Sequence, residues 1–314
     1  VNKLAGAALV LIALIASTVF PLLTYSVTLA VFGLAHVAVE MRYVESRFVD
    51  RLLGPMLTGV GALLAVIIVL RCIKMTGWVS RSQLLTCELV FIAIIASSVL
   101  LRWGRQSGVA GVVSGAVAGA IGLGIVLSPV TTMLVLACLH NWTPVGFIAE
   151  ATTGARRRRW MMVCGLVFIA IPLLIASGVI QHLLAPWLSP DFTVLPTGPL
   201  KRNMGAFLPA VWHKAEWAPR VFSAVVFAQC MHYLTVLGAL PRLIDTQTRR
   251  WLTAIPRPVY AAAIALCTLI FLVLYTQDFR QTKRMYSIAA AVHAWIELPV
   301  LMLALRPRSK EVAA

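Results

Sequence analysis

The chain is a succession of long apolar blocks joined by short polar connections. In hydrocarbon every backbone N–H and C=O must be satisfied within the protein, so blocks of this kind fold as membrane-spanning helices. Composition agrees: 60% of the residues are hydrophobic and 12% charged, against roughly 45–50% and about 25% in soluble domains. A soluble fold is excluded. The expected fold class is all-α, a polytopic transmembrane helix bundle of nine or ten spans in a cell (inner) membrane.

Approximate span limits are 4–19, 21–42, 52–73, 82–103, 108–127, 130–150, 159–184, 220–244, 256–277 and 284–305. Each approaches the ~20 residues that cross a bilayer. The stretch 5–41 is broken only by Pro21 and reads as one bent helix or a helical hairpin. A cleaved leader is the weaker reading, because Lys3 alone would form its basic region. No polar stretch is long enough for a second core, so residues 1–314 are expected to form a single integral membrane domain.

Arginines set the expected orientation. Arg42, Arg47 and Arg51 follow the second span, Arg102 and Arg105 the fourth, and Arg156 to Arg159 the sixth. Arg242, Arg249 and Arg250 follow the eighth, and Arg306, Arg308 and Lys310 the last. With ten spans these fall on one side, which reads as cytoplasmic and places both termini there. The net charge of +16 is then mainly a topology signal and an attraction to anionic lipid. Nucleic-acid binding is excluded as a reading, because the charges lie in short loops without a recognition motif. Residues 185–219 form the one long connection, rich in Pro and Trp (Trp187, Trp212, Trp217). It is expected on the outer side, as an interfacial loop or as a lid over a lipid-accessible cavity.

Four histidines interrupt the apolar blocks: His36, His140, His232 and His293. Two carry a glutamate four residues on, in HVAVE (His36, Glu40) and HAWIE (His293, Glu297). Positions i and i+4 share a helix face, so each unit offers a nitrogen and an oxygen ligand in one direction. Ionisable groups cost roughly 2.5–3.5 kcal/mol at mid-membrane, so their presence in a chain this apolar points to function. From the expected outer surface, His140, His232 and His293 lie about ten, twelve and nine residues deep, and His36 about fifteen. At 1.5 Å per residue four helices can then present imidazoles at one level. The site expected is a metal centre of His36, Glu40, His140, His232, His293 and Glu297. Asn141 and Gln229 are candidates to orient the imidazoles from behind. Pro144 can bend the His140 helix and free a carbonyl beside it.

Other motifs carry less. Cys72, Cys87, Cys138, Cys164, Cys230 and Cys267 lie in or at the ends of spans without a Cys-x-x-Cys, and read as small apolar residues. Cys138 and Cys230 stand two residues before a histidine, about 200° round the helix, so they cannot share its ligand set. The small-residue stripe Gly111, Gly115, Gly119, Gly122 and Gly124 reads as a close helix contact. His182 and His213 sit near the expected interface and read as ordinary interfacial histidines. No His-x-x-x-His, His-His or Gly-x-Ser-x-Gly occurs, and Asp191, Asp245 and Asp278 have no histidine nearby in sequence.

Imidazole with carboxylate suits non-haem iron, copper, zinc or manganese. On four patches the chain resembles the bacterial membrane β-carotene 15,15′-dioxygenases. GLAHVAVE is similar to the family's opening unit, VHAWIELP to its closing one, and LACLHNWTP and AQCMHYLTV to the middle histidine segments. Glu40 stands where the family has Asp, and the family's Gly after the first His is Val37 here. The resemblance implies an iron oxygenase acting on a lipophilic, carotenoid- or lipid-like substrate. Three readings stay beside it: a haem b electron-transfer protein with a His pair as axial ligands, a His/Glu proton-coupled transporter, and a membrane scaffold.

Overall fold

The computed structural model describes residues 3–52, 54–103, 108–244 and 250–305. Arg105, Asp245, Arg249, Arg306, Arg308 and Lys310 lie outside the described residues. The protein is all-α and multi-pass: among the described residues nine helical segments are long and apolar enough to cross a membrane. In chain order the helices are α1 (Lys3–Val19), α2 (Pro21–Leu52), α3 (Pro55–Thr76), α4 (Arg81–Trp103), α5 (Val109–Leu127), α6 (Pro129–His140) and α7 (Thr143–Ala151). There follow α8 (Gly154–Gly165), a π-turn at Leu166–Ala170, α9 (Ile171–Ala176), α10 (Val179–Leu183), α11 (Leu200–Met204) and α12 (Ala218–Gly238). The chain then forms α13 (Trp251–Ala254), α14 (Arg257–Gln277) and α15 (Phe279–Ala304).

The first two apolar segments are joined by a sharp bend. Backbone bonds continue through it, from Phe20 N–H to the Ala16 carbonyl and from Thr24 N–H to the Phe20 carbonyl, both 2.9 Å. Thr24 Oγ1 also donates to the Ala16 carbonyl at 2.8 Å. In a straight helix residues eight apart lie about 12 Å apart along the axis, so the helix turns steeply at Pro21. Both α1 and α2 pack on α12.

α2 runs to Leu52, well past the expected limit of 42. The charged groups of its last third are paired within the protein. Arg42 donates to the Ile255 carbonyl at 2.8 Å and Arg47 to Glu150 at 2.9 Å. Glu45 accepts the N–H groups of Leu252 and Thr253, and Arg250 pairs with Asp50. Arg51 donates to the Leu303 carbonyl. These bonds tie the end of α2 to α7, α15 and the α13 segment at one end of the bundle. The opposite end holds cations too. Arg71 pairs with buried Glu88 on α4 (2.7 Å from Nε) and donates to the Ser287 carbonyl on α15. Lys283 lies 5.2 Å above the Tyr25 ring.

The 185–219 connection caps that opposite end and is anchored in the core. Leu195, Leu200, Met204 and Leu208 are buried in the same apolar cluster as Leu22, Tyr25 and Phe222. Ser189 N–H bonds to the Val19 carbonyl, Phe192 packs on Phe20, and Phe207 on Tyr25. Trp187, Trp212 and Trp217 are exposed on its surface. His213 Nε2 bonds to the Leu208 carbonyl at 3.0 Å, bracing the loop's own turn.

A second apolar cluster joins the later part of α2 to α3, α4, α5 and α15. The glycine stripe serves it only in part. A side chain at Gly115 would press on Leu100 of α4, and one at Gly124 would collide with Thr132 of α6. Gly119 and Gly122 face open space. The six cysteines form no disulfide.

Candidate metal centre

The site is assembled by four elements, α2, α6, α12 and α15. The span predicted over 130–150 breaks in the middle. α6 ends at His140, two turn residues follow, and α7 restarts with Pro144 in its first turn. Pro144 has no N–H and blocks an unbroken helix. The freed His140 carbonyl accepts Thr143 Oγ1 at 3.0 Å, and the Cys138 carbonyl accepts Asn141 Nδ2 at 3.2 Å. His140 therefore projects from a helix terminus inside the bundle.

Four imidazoles meet there. His36 Nε2 is 3.2 Å from His293 Nε2, which is 3.0 Å from His140 Nε2. Ring centroids of His232 lie 5.1 Å from His36 and 4.8 Å from His140. One ligand nitrogen from each of the four falls within 4.8 Å of all the others, as do ligand atoms of Glu40, His293 and Glu297. Two ligands bound at 2.1 Å to one ion are about 3.0 Å apart at a right angle, about 3.4 Å at the tetrahedral angle and about 4.2 Å when opposite. The nitrogens are thus spaced for a shared ion with small side-chain adjustments.

The carboxylates complete the arrangement. Glu297 Oε2 accepts from His140 Nδ1 at 2.8 Å. Glu40 is fully buried, with Oε2 3.7 Å from His232 Nε2 and 3.9 Å from His293 Nε2. Those distances are too long for hydrogen bonds. Both Glu40 oxygens, both His232 nitrogens, His293 Nδ1 and Glu297 Oε1 lack a hydrogen-bond partner among the described residues. Buried polar groups are rarely left this way, because an unmet one costs several kcal/mol. A cation among them would satisfy the carboxylates and imidazoles together. The donor set therefore fits a metal ion, and His36, His140, His232 and His293 with Glu40 are the residues that could hold it.

The partners that orient the imidazoles differ from the two amides singled out in the sequence. His36 Nδ1 lies 3.2 Å from the Phe32 carbonyl one turn earlier, which leaves Nε2 facing the cluster. His140 is oriented by Glu297. Asn141 donates to Cys138, and Gln229 is buried with its Nε2 unpartnered among the described residues. Tyr233, beside His232 on α12, stacks on His36 with centroids 4.3 Å apart and closes that side. A backbone carbonyl carries no sequence signal, so Phe32 was not detectable beforehand. Tyr233, adjacent to a key histidine, was.

His36, His232 and His293 are almost completely enclosed, whereas the His140 side chain keeps 15% of its surface exposed. Next to it, Leu139, Trp142 and Thr143 line one end of an elongated cavity of about 720 Å³ between α5, α7, α8 and α15. The chain matches no protein-family model, no curated protein and no protein of solved structure.

Proposed function

We propose that this chain is a metal-dependent membrane oxidoreductase, a non-haem iron oxygenase that acts on a lipophilic substrate. The observation that carries the reading is the set of Nε2 atoms of His36, His293 and His140 at 3.0–3.2 Å, with His232 and Glu40 around the same point. Neutral imidazoles leave most of a divalent charge uncompensated. Glu40, buried and without a donor, would offset part of it in a medium where charge is expensive. Nitrogen-rich ligation with one carboxylate suits iron, with copper, zinc and manganese as chemical alternatives. Iron held there would supply activation of O₂ at an open coordination position.

The chain's own residues do the rest. The Phe32 carbonyl fixes the His36 tautomer, and Glu297 fixes that of His140. Tyr233 and the packed helices shield His36, His232 and His293 from water. Leu139 and Thr143, on either side of His140 in the chain, line the cavity, and in this reading a substrate arrives by that route from the bilayer without an aqueous path. The resemblance of the four histidine patches to the β-carotene 15,15′-dioxygenases supports the same class.

Haem b suits the geometry poorly. Neighbouring imidazole rings are packed at 4.7–5.1 Å between centroids, which leaves no slot for a porphyrin between axial ligands. A proton-coupled transporter draws on one observation, the broken α6–α7 helix at mid-membrane. Metal analysis with an optical spectrum of the purified protein separates the three. Stoichiometric iron without a Soret band supports the oxygenase. A Soret band supports haem, and absence of any metal after reconstitution supports the transporter.

A further inference from the structure

Three helices meet at a buried ion pair near the end of the bundle opposite the 156–159 arginines. Arg71 on α3 pairs with Glu88 on α4, 2.7 Å from Nε, and also donates to the Ser287 carbonyl on α15. Glu88 is 3% exposed and is the only acidic residue on α3 and α4. Further toward that end the seam carries three more cations. Lys74 follows Arg71 by one turn, Arg284 precedes Ser287 by one turn, and Arg81 precedes Glu88 by two turns. Steps of three and seven residues keep roughly to one helix face. Lys74 and Arg284 therefore lie about 4.5 Å beyond the pair along the seam, and Arg81 about 10 Å. Lys74 interacts electrostatically with Glu88, Arg71, Arg81 and Arg284 together.

Glu88 is already held by Arg71. Lys74, Arg81 and Arg284 form no ion pair and no side-chain hydrogen bond among the described residues. The other acid at this end of α15, Asp278, caps the helix through the Gln281 N–H. Four cations thus gather around one carboxylate. Orientation does not account for them, because arginines and lysines that set topology collect on the cytoplasmic side, and this seam lies on the expected outer side. Trp78, in the turn joining α3 and α4, is 86% exposed. Tryptophan favours the headgroup zone, and Trp78 stands four residues from Lys74 and three from Arg81. The three cations without a partner therefore sit at headgroup level, outward of the buried pair. Deeper on the same two helices Val69 and Val90 are exposed, a hydrocarbon surface for acyl chains.

We propose that the seam of α3, α4 and α15 binds the phosphate of an anionic phospholipid in the outer leaflet, held by Lys74, Arg81 and Arg284. Guanidinium takes phosphate oxygens in a bidentate fork, and the lysine adds a point charge. Basic pockets between membrane helices recognise lipid headgroups in this way. A zwitterionic lipid offers the same phosphate but brings its own cation to a seam that already holds four against one carboxylate. The site is separate from the metal centre and needs no metal.

The test uses the full-length protein with Cys72, exposed two residues before Lys74, as its single cysteine, labelled with bimane in nanodiscs of phosphatidylcholine. Phosphatidylglycerol carrying a spin label near its headgroup is titrated in, and quenching of the bimane gives a binding curve. The parent protein is expected to bind it saturably, at least about tenfold more tightly than phosphatidylcholine carrying the same label. Lys74→Gln, Arg81→Gln and Arg284→Gln should each weaken binding about fivefold, and the three together about a hundredfold, with the helical circular dichroism retained. The single variants decide the matter if the triple variant does not fold. Arg158→Gln, at the other end of the bundle, should leave the curve unchanged. Equal quenching by the two lipids, or equal binding in the parent and the single variants, would overturn the proposal. Displacement of the lipid by millimolar inorganic phosphate would overturn it in favour of a site for a free anion.

Discussion

His140 and Glu297 are joined by a 2.8 Å hydrogen bond between Nδ1 and Oε2. They come from helices 157 residues apart in the chain, and the bond locks the broken end of α6 to the middle of α15. It fixes which imidazole nitrogen faces the cluster and orients the ring, while Glu40 stays available on the other side of the site.

Glu297→Gln should therefore weaken the metal without removing it. Groups behind a ligand typically contribute 10–100-fold in affinity, so about a tenfold higher metal dissociation constant is expected for Gln, and more for Ala. Competition with a calibrated chelator measures it. Glu40→Gln should cost more, because in our account Glu40 is a ligand. Equal losses at the two positions would reverse those roles.

Gly146→Val should strain the α7–α15 contact. A Cβ there meets the Leu301 side chain, and overpacking costs about 1–3 kcal/mol. The expected outcome is a lower midpoint of thermal unfolding in detergent, with weakened metal binding, since Glu297 lies one turn before Leu301 on α15 and α7 follows directly on the break after His140. Gly119→Val faces open space and should leave both unchanged.

Glu88→Ala should destabilise the bundle without touching the metal. Glu88 is buried and is the ion-pair partner of Arg71. Removing one partner of a buried pair costs about 3–5 kcal/mol. A smaller effect, below about 1 kcal/mol, would mean that Arg71 reaches water in the mutant.

Sidedness is open to a direct check. Arginine placement predicts that α8 begins on the cytoplasmic side. In a cysteine-free background, Arg158→Cys should resist a membrane-impermeant maleimide in intact cells and react after lysis. Labelling in intact cells would invert the topology.

Much of this architecture was legible in the sequence, because lipid admits few backbone solutions. Apolar block length located nine spanning segments, and i, i+4 spacing placed Glu40 under His36 and Glu297 under His293. Depth counting brought four imidazoles to one level, where the structure gathers them. What could not be read depended on distant partners. The extension of α2 to Leu52 rests on Glu150, Ile255 and Leu252, residues more than 100 positions away. The full break after His140 exceeds the bend that Pro144 suggested, since it also needs Asn141 and Thr143 to take up the freed carbonyls. The glycine stripe looked uniform, yet Gly115 and Gly124 allow close approach to α4 and α6 whereas Gly119 and Gly122 face open space. The π-turn before Pro172 leaves no local sequence signature.

The central claim is that His36, His140, His232 and His293 hold one metal ion. The most direct measurement is metal content per protein, by elemental analysis, for wild type, His232→Ala and His182→Ala purified in parallel after iron loading. His232 is fully buried with both nitrogens unpartnered among the described residues, and His182 lies outside the cluster. The account predicts near-stoichiometric iron in wild type and His182→Ala, and loss of most of it in His232→Ala with the helical circular dichroism retained. Equal metal in all three forms, or none in any, would contradict it.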